Sequence, residues 1–150
     1  MSELIAEFPK YRVWAVVGVS EDRGKYGNKI YRDLREAGYQ VYAVNPKLST
    51  VEGDPCYGSL TALPQKPDVV DLVVPPQVAS SVIDDCLNAG IQRVWFQPGS
   101  ESDAAIEKAR AGGMAVVADA CIMIQKREWP DSEIAQADGG ACDIAAISQS

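Results

Sequence analysis

A loop rich in glycine and charge, residues 18–28, follows the first apolar segment of the chain. Its sequence, GVSEDRGKYGN, departs from the GxGxxG fingerprint of dinucleotide-binding folds. It can still hold an anion, because Gly18 permits a tight turn and the amides that open the next helix are free to donate. Arg23 and Lys25 add positive charge at this point. The loop therefore predicts a phosphate site, although a solvated surface loop would have the same composition.

A second polar segment, Asn45-Pro46-Lys47, comes directly after another short apolar run. NAD-binding folds usually carry Asp or Glu at this point, where the carboxylate holds the ribose hydroxyls. A neutral Asn followed by Lys suits a phosphorylated ribose better, and both NADP and coenzyme A carry such a phosphate. Simple termination of a strand by Asn-Pro would explain the same residues without any ligand.

Two further segments complete the candidate site. Val74-Pro75-Pro76 would form a stiff apolar shelf for an adenine ring, although proline is also favoured in the first turn of a helix. Gln97 and Gly99 place a polar side chain and a flexible backbone at the end of another apolar run. Each segment is thus open to a structural as well as a binding interpretation.

These segments follow short apolar runs that are typical of strands buried in a parallel sheet. Five strands are predicted, at residues 13–17, 41–44, 69–74, 93–97 and 115–118. Helices are predicted at residues 28–37, 78–89 and 102–112, with short helical segments near 59–63 and 121–124 and a loop over 54–64. A helix thus follows most of the strands, which is the alternation expected of βαβ units.

The alternation predicts an α/β fold with a single Rossmann-like, doubly wound parallel sheet of about five strands in the order 3-2-1-4-5. In such sheets ligands bind beyond the carboxyl ends of the strands, where the winding direction reverses. The predicted order places that reversal between the first and the fourth strands. The polar segments would then lie together at one edge of the sheet.

Composition limits the class of partner. The chain has 150 residues and a net charge of −7, which repels nucleic acid phosphates and anionic membrane surfaces. No apolar run approaches the roughly 20 residues of a membrane span, and no secretory leader is visible. The four cysteines are widely spaced, as expected of reduced thiols. We therefore expect a cytoplasmic protein with no nucleic acid or membrane partner.

The chain contains no histidine. This excludes Ser-His-Asp and Cys-His catalysis, a phosphohistidine intermediate and imidazole metal ligands. The cysteines form no CxxC pair, so neither a zinc site nor a redox motif is indicated. We therefore predict no catalytic residue and no metal site, and we expect a binding function rather than an enzyme.

Taken together, the motifs resemble the small stand-alone CoA-binding proteins, which are similar to the CoA-binding domain of the succinyl-CoA synthetase α subunit. They are Gly18-Val19-Ser20, Tyr26-Gly27, Val44-Asn45-Pro46-Lys47, Cys56-Tyr57, Val94-Trp95-Phe96-Gln97-Pro98-Gly99 and Asp119-Ala120-Cys121-Ile122-Met123. The resemblance covers roughly residues 8–127 and implies a Rossmann-like CoA-binding domain over residues 1–127. The ligase domain that carries the phosphohistidine of the synthetase is missing, so the chemistry of the synthetase is not implied.

The resemblance implies that coenzyme A, or an acyl-CoA, lies across the strand ends. The first loop would approach the phosphates, and residues 45–47 would meet the adenosine phosphate end. Val74 and Pro75 would border the adenine, while Gln97 and Gly99 would lie along the pantetheine arm. The implied cofactor-binding residues are Gly18, Val19, Ser20, Arg23, Lys25, Tyr26, Gly27, Asn45, Pro46, Lys47, Val74, Pro75, Gln97 and Gly99.

Three functions are compatible with these residues. The first is the binding of CoA or acyl-CoA without chemistry of its own, as a homo-oligomer or an accessory subunit. The second is an NADP-dependent reductase, although the chain has no Tyr-x-x-x-Lys pair and little room for a substrate domain. The third is a protein-interaction domain with a vestigial nucleotide pocket. Residues 128–150, rich in Ala, Asp, Gly and Ser, are predicted to form a C-terminal arm or disordered tail.

Overall fold

A sheet of seven strands forms the centre of the described chain. In this computed structural model, which describes residues 2–118 and 120–126, the strands are β1 (Val13–Val17), β2 (Gln40–Val44), β3 (Thr50–Val51), β4 (Asp54–Tyr57), β5 (Val69–Leu72), β6 (Arg93–Phe96) and β7 (Ala115–Val117). Their order across the sheet is β3-β4-β2-β1-β5-β6-β7. β3 and β4 pair as an antiparallel hairpin, and the other neighbours are parallel. The Rossmann-like α/β fold is confirmed; the predicted tail at 128–150 lies outside the described residues.

Helices cover both faces of the sheet. They are α1 (Ser2–Glu7), α2 (Tyr26–Glu36), α3 (Pro76–Asn88), α4 (Asp103–Ala111) and α5 (Ile122–Gln125), with 3-10 turns at Phe8–Lys10 and Leu60–Ala62. β1 is apolar throughout because both of its faces are buried: Trp14 and Val16 pack in the core with α2, and Ala15 and Val17 pack in the core with α3 and α4. None of the described helices is long and apolar enough to cross a membrane.

The predicted strand order is wrong in one respect. Residues Asp54–Tyr57, for which the sequence predicts a loop, form strand β4. The strand at 69–72 pairs with β1 and not with the outer edge of β2. The place beside β2 belongs to β4, where Cys56 pairs with Ala43. No apolar run marks β4, which begins Asp54-Pro55, and both residue types are depleted in strands. When β4 is counted as the third strand, β5 as the fourth and β6 as the fifth, the observed order agrees with 3-2-1-4-5.

This correction moves the point where the winding reverses. It lies between β1 and β5, and not between β1 and the strand at 93–96. The loops that leave β1 and β5 therefore run side by side. Gly18 has a φ of +103°, and a Cβ at this position would overlap the carbonyl oxygen of Val73. Only glycine fits there, because both the backbone conformation and the close approach exclude a side chain.

Strand β5 carries a buried carboxyl group, that of Asp71. The strand register places Asp71 between Val16 of β1 and Trp95 of β6, on the face covered by α2. Its side chain is 0% exposed, and its oxygens have no hydrogen-bond partner among the described residues. Burial raises the pKa of this carboxyl well above its usual value. A neutral, protonated Asp71 is therefore favoured in the folded protein.

Candidate functional site

Two cavities open at the carboxyl edge of the sheet, one on each side of Val74 and Pro75, which line both. The first, called the β2 cavity, has a volume of about 480 Å³. It is lined by Val17, Gly18, Val44, Asn45, Pro46, Lys47, Gly58, Ser59, Leu60, Val74, Pro75, Val78, Ser81, Val82 and Asp85. The second, called the α5 cavity, has a volume of about 570 Å³. It is lined by Tyr26, Ile30, Val73, Val74, Pro75, Gln97, Pro98, Gly99, Ser100, Cys121, Met123 and Ile124.

The predicted site residues are divided between these cavities. The β2 cavity contains Gly18, Asn45, Pro46 and Lys47, the α5 cavity contains Tyr26, Gln97 and Gly99, and both contain Val74 and Pro75. The predicted residues that line neither cavity are Val19, Ser20, Arg23, Lys25 and Gly27. Val19 is 0% exposed and its side chain belongs to the core, which leaves its backbone as the part that can face a ligand.

The first loop is shaped by its own side chains. The hydroxyl of Ser20 accepts a hydrogen bond from the amide of Asp22 (3.0 Å), and the Asp22 carboxylate accepts one from the amide of Gly24 (2.9 Å). These bonds turn the chain into α2, which begins after Lys25 without a side-chain cap and without an acidic residue in its first turn. The first amides of α2 are therefore suited to an anion.

An acidic residue from the β3–β4 hairpin reaches this loop. One carboxylate oxygen of Glu52 accepts hydrogen bonds from Asn28 Nδ2 (3.1 Å) and Arg23 Nε (3.2 Å). The bond from Asn28 lowers the pKa of Glu52, and the nearby arginines reinforce the effect. Arg23 thus has an acidic partner within the protein. Glu52 and Gly53 have positive φ values, +50° and +80°, so the Glu-Gly pair forms the tight turn of the hairpin and is the signal by which it could have been found.

Asn45 connects the end of β2 to the first loop. Its Nδ2 donates to the carbonyl oxygen of Val19 (2.9 Å), and its Oδ1 accepts from the amide of Lys47 (2.8 Å). The amide side chain therefore serves the architecture of the site. Lys47 is exposed and carries the positive charge among the described residues that line the β2 cavity.

Gln97 holds the segment before α5 over the edge of the sheet. Its Oε1 accepts from the amide of Ile122 (3.0 Å), and its Nε2 donates to Cys121 Sγ (3.3 Å). The indole N–H of Trp95 donates to the carbonyl oxygen of Ala120 (2.7 Å) and fixes the same segment. The α5 cavity exists because these bonds place Met123 and Ile124 opposite α2, which no local sequence pattern reveals.

The described cysteines occupy different surroundings. Cys56 and Cys86 are buried, and burial raises the pKa of both thiols, that of Cys86 to about 12. Cys121 is half-buried and lines the α5 cavity. Among residues 2–118 and 120–126, no group of three or more His, Cys, Asp or Glu side chains is placed to hold a metal ion.

Residues 12–127 match the model of a protein family described as a CoA binding domain. The chain belongs to this CoA-binding family. The resemblance seen in the strand-end motifs is thereby confirmed. The match covers both cavities and the five predicted strands, and it leaves out the start of the chain and residues 128–150.

Proteins similar to this CoA-binding domain include both a large ligase and small chains. An ADP-forming acetate–CoA ligase of Archaeoglobus fulgidus is 31% identical over 125 residues, which cover 77% of this chain and 18% of the ligase. A conserved hypothetical protein from Pyrococcus furiosus is 39% identical with a TM-score of 0.75, over 77% of this chain and 100% of the other. A hypothetical protein from Pyrococcus horikoshii is 36% identical with a TM-score of 0.79, over 83% of this chain and 89% of the other.

Proposed function

We propose that this protein binds coenzyme A along the carboxyl edge of its sheet. The adenosine phosphate end would lie in the β2 cavity, and the pantetheine arm would pass over Val74 and Pro75 into the α5 cavity. The observation that carries the proposal is the pairing of a cavity that has charged side chains with a cavity that has none among its described lining residues, on either side of these two residues, in a member of a CoA-binding family. A ligand that is charged at one end and uncharged at the other fits this arrangement.

The polar end of the site offers donors for phosphate groups. Lys47 faces the β2 cavity, and the amino terminus of α2 lies beside Gly18 at the edge of that cavity. Lys25 directly precedes α2 and is exposed, so its ammonium group can approach an anion bound at the amino terminus of α2. Charge-assisted hydrogen bonds of this kind are roughly twice as strong as neutral ones. We therefore assign the diphosphate to the first loop and the 3′-phosphate to Lys47.

The proposed role is binding without catalytic chemistry of its own, as a carrier, a sensor or an accessory subunit. The lack of histidine removes the usual general bases and nucleophile partners, and two of the described cysteines are buried with raised pKa values. The similarity to part of an acetate–CoA ligase supports a subunit role, in which another chain or domain would supply the reacting groups.

Isothermal titration with CoA, acetyl-CoA, NAD and NADP tests this proposal. We expect saturable binding of CoA and at least about tenfold weaker binding of NADP, a difference of about 1.4 kcal/mol. No heat with CoA and a clear isotherm with NADP would refute the proposal and favour the reductase alternative. A protein that shows no heat and no thermal shift with any of the four nucleotides would be an interaction domain with a vestigial pocket.

A further inference from the structure

The α5 cavity presents an apolar surface even though polar side chains line it. Gln97 is 2% exposed, and both polar atoms of its side chain are already bonded to Ile122 and Cys121. The hydroxyl of Ser100 accepts a hydrogen bond from the amide of Val74 (3.0 Å). These hydrogen bonds hold the wall together and engage the oxygen of Ser100 and both polar side-chain atoms of Gln97 within the protein. The surface that remains is supplied mainly by Tyr26, Val73, Pro98, Met123 and Ile124.

The mouth of this cavity carries exposed apolar side chains. Tyr26 is 66% exposed and Ile124 is 78% exposed, and the two lie on α2 and α5. Single exposed hydrophobic residues are ordinary on protein surfaces. Here two of them line one cavity that is itself apolar, so an apolar group held there would remove both from water.

The walls of the cavity also provide no charge for an anionic group, and the ammonium group of Lys29, which does not line the cavity, lies over the Tyr26 ring at 5.6 Å from its centre. Among its described lining residues there is no Lys, Arg, Asp or Glu. Lys126 follows α5 but is buried in an ion pair with Asp33 of α2, at 2.8 Å, and neither residue lines the cavity. A carboxylate brought into the cavity would lose water without gaining a partner, which is costly.

We infer that the α5 cavity is an acyl subsite that selects thioesters with neutral aliphatic acyl groups over free CoA and over thioesters that carry a terminal carboxylate. The inference rests on the proposed CoA function, because the arm of the cofactor must deliver the acyl group past Val74 and Pro75. It goes beyond CoA binding by naming the class of acyl-CoA and the residues that select it, above all Ile124, Met123 and Tyr26.

The test is a titration series of the full chain with CoA, acetyl-CoA, butyryl-CoA, hexanoyl-CoA and succinyl-CoA. Burying a methylene group raises affinity by up to about fourfold, so we expect affinity to rise along the series. Hexanoyl-CoA should bind at least about tenfold more tightly than CoA, and succinyl-CoA should bind no better than CoA. Equal affinity for all five ligands, or tighter binding of succinyl-CoA than of hexanoyl-CoA, would overturn the inference and leave CoA binding intact. If none of the five binds, CoA binding itself is refuted, and the acyl subsite with it.

Matched variants of exposed residues locate the effect. Ile124→Ser should reduce the hexanoyl-CoA to CoA affinity ratio by at least about threefold, because one apolar wall of the cavity is lost. Val78→Ser changes an exposed apolar residue of the β2 cavity, and it should leave that ratio unchanged. Ile124→Lys should raise succinyl-CoA affinity relative to hexanoyl-CoA. A ratio that responds to Val78→Ser and not to Ile124→Ser would place the acyl group elsewhere and overturn the assignment.

Discussion

The two cavities at the carboxyl edge differ in the charge of the side chains that line them. The β2 cavity is lined by one cation and one anion, Lys47 and Asp85, and both are exposed. In the α5 cavity, Gln97 and Ser100 are buried and already bonded within the protein. One sheet edge thus carries charged side chains on the side of α3 and, among the described lining residues, none on the side of α2 and α5. The comparison shows that the segment packed over the strand ends, and not the sheet itself, sets the chemistry of each half.

The largest expected effect comes from the boundary between the cavities. Gly18→Ala should lower the free energy of unfolding by about 3 kcal/mol or more, because left-handed strain and overlap with the Val73 carbonyl act together. Gly99→Ala is the matched control, since Gly99 has a similar φ of +96° but open space around its Cβ position. Its cost should be about 1 kcal/mol. Equal losses in urea denaturation would show that the close approach at Gly18 is unimportant.

A second prediction uses the carboxyl group buried beneath the α5 half of the sheet. Burial raises the pKa of Asp71 in the folded state. The contribution of this carboxyl group to the free energy of unfolding is therefore complete below its ordinary pKa, and it is lost as the pH rises toward the pKa of the folded state. Asp71→Asn cannot ionise, so its melting temperature relative to that of the wild type should increase between pH 5.5 and pH 8.5. A constant difference between the Asp71 variant and the wild type would mean that Asp71 is already ionised in the folded protein at pH 5.5.

Much of the fold could be predicted because the central strands are local apolar runs. β1, β2, β5, β6 and β7 were each found within two residues, and so were α2, α3 and α4. β4 was missed, since Asp54-Pro55 is a poor strand sequence and its pairing with β2 is a tertiary effect. That single omission displaced β5 and misplaced the point of reversal.

The candidate site was predicted less completely than the fold, because some of its residues come together from distant parts of the chain. Residues that follow a strand directly, such as Lys47 and Gln97, were identified because parallel strands end at a common edge. Glu52 was missed because it reaches Arg23 from a hairpin that was itself missed. Met123 and Ile124 have the pattern of ordinary helix residues, and they form a cavity only because Gln97 ties the segment before α5 to the sheet.

A third prediction concerns the polar half alone. Lys47→Ala should weaken CoA binding by about tenfold and leave binding of 3′-dephospho-CoA unchanged, because Lys47 is assigned to the 3′-phosphate. Lys66→Ala, which changes an exposed lysine outside both cavities, should alter neither affinity. If the wild type binds CoA and 3′-dephospho-CoA equally well, this role of Lys47 is wrong.

The smallest effects are expected from the two cations of the first loop. Lys25→Ala should weaken CoA binding by about threefold to tenfold, and Arg23→Ala by less, because Glu52 already holds the Arg23 side chain. Glu52→Gln should correspondingly raise CoA affinity, by releasing Arg23 and removing a negative charge. These affinities can be compared by titration at one fixed ionic strength. Unchanged affinity in the Arg23, Lys25 double variant would show that backbone amides alone bind the phosphates.

The central claim is that one ligand occupies both cavities, and chemical-shift mapping of the backbone amides tests it most directly. On addition of CoA to the ¹⁵N-labelled protein, the largest shifts should fall at Lys47 in the β2 cavity, at Val74 between the cavities and at Gln97 in the α5 cavity. All three should change together along one binding curve. Shifts confined to one cavity, or centred on Gly90 and Gly112 at the opposite edge of the sheet, would contradict the account.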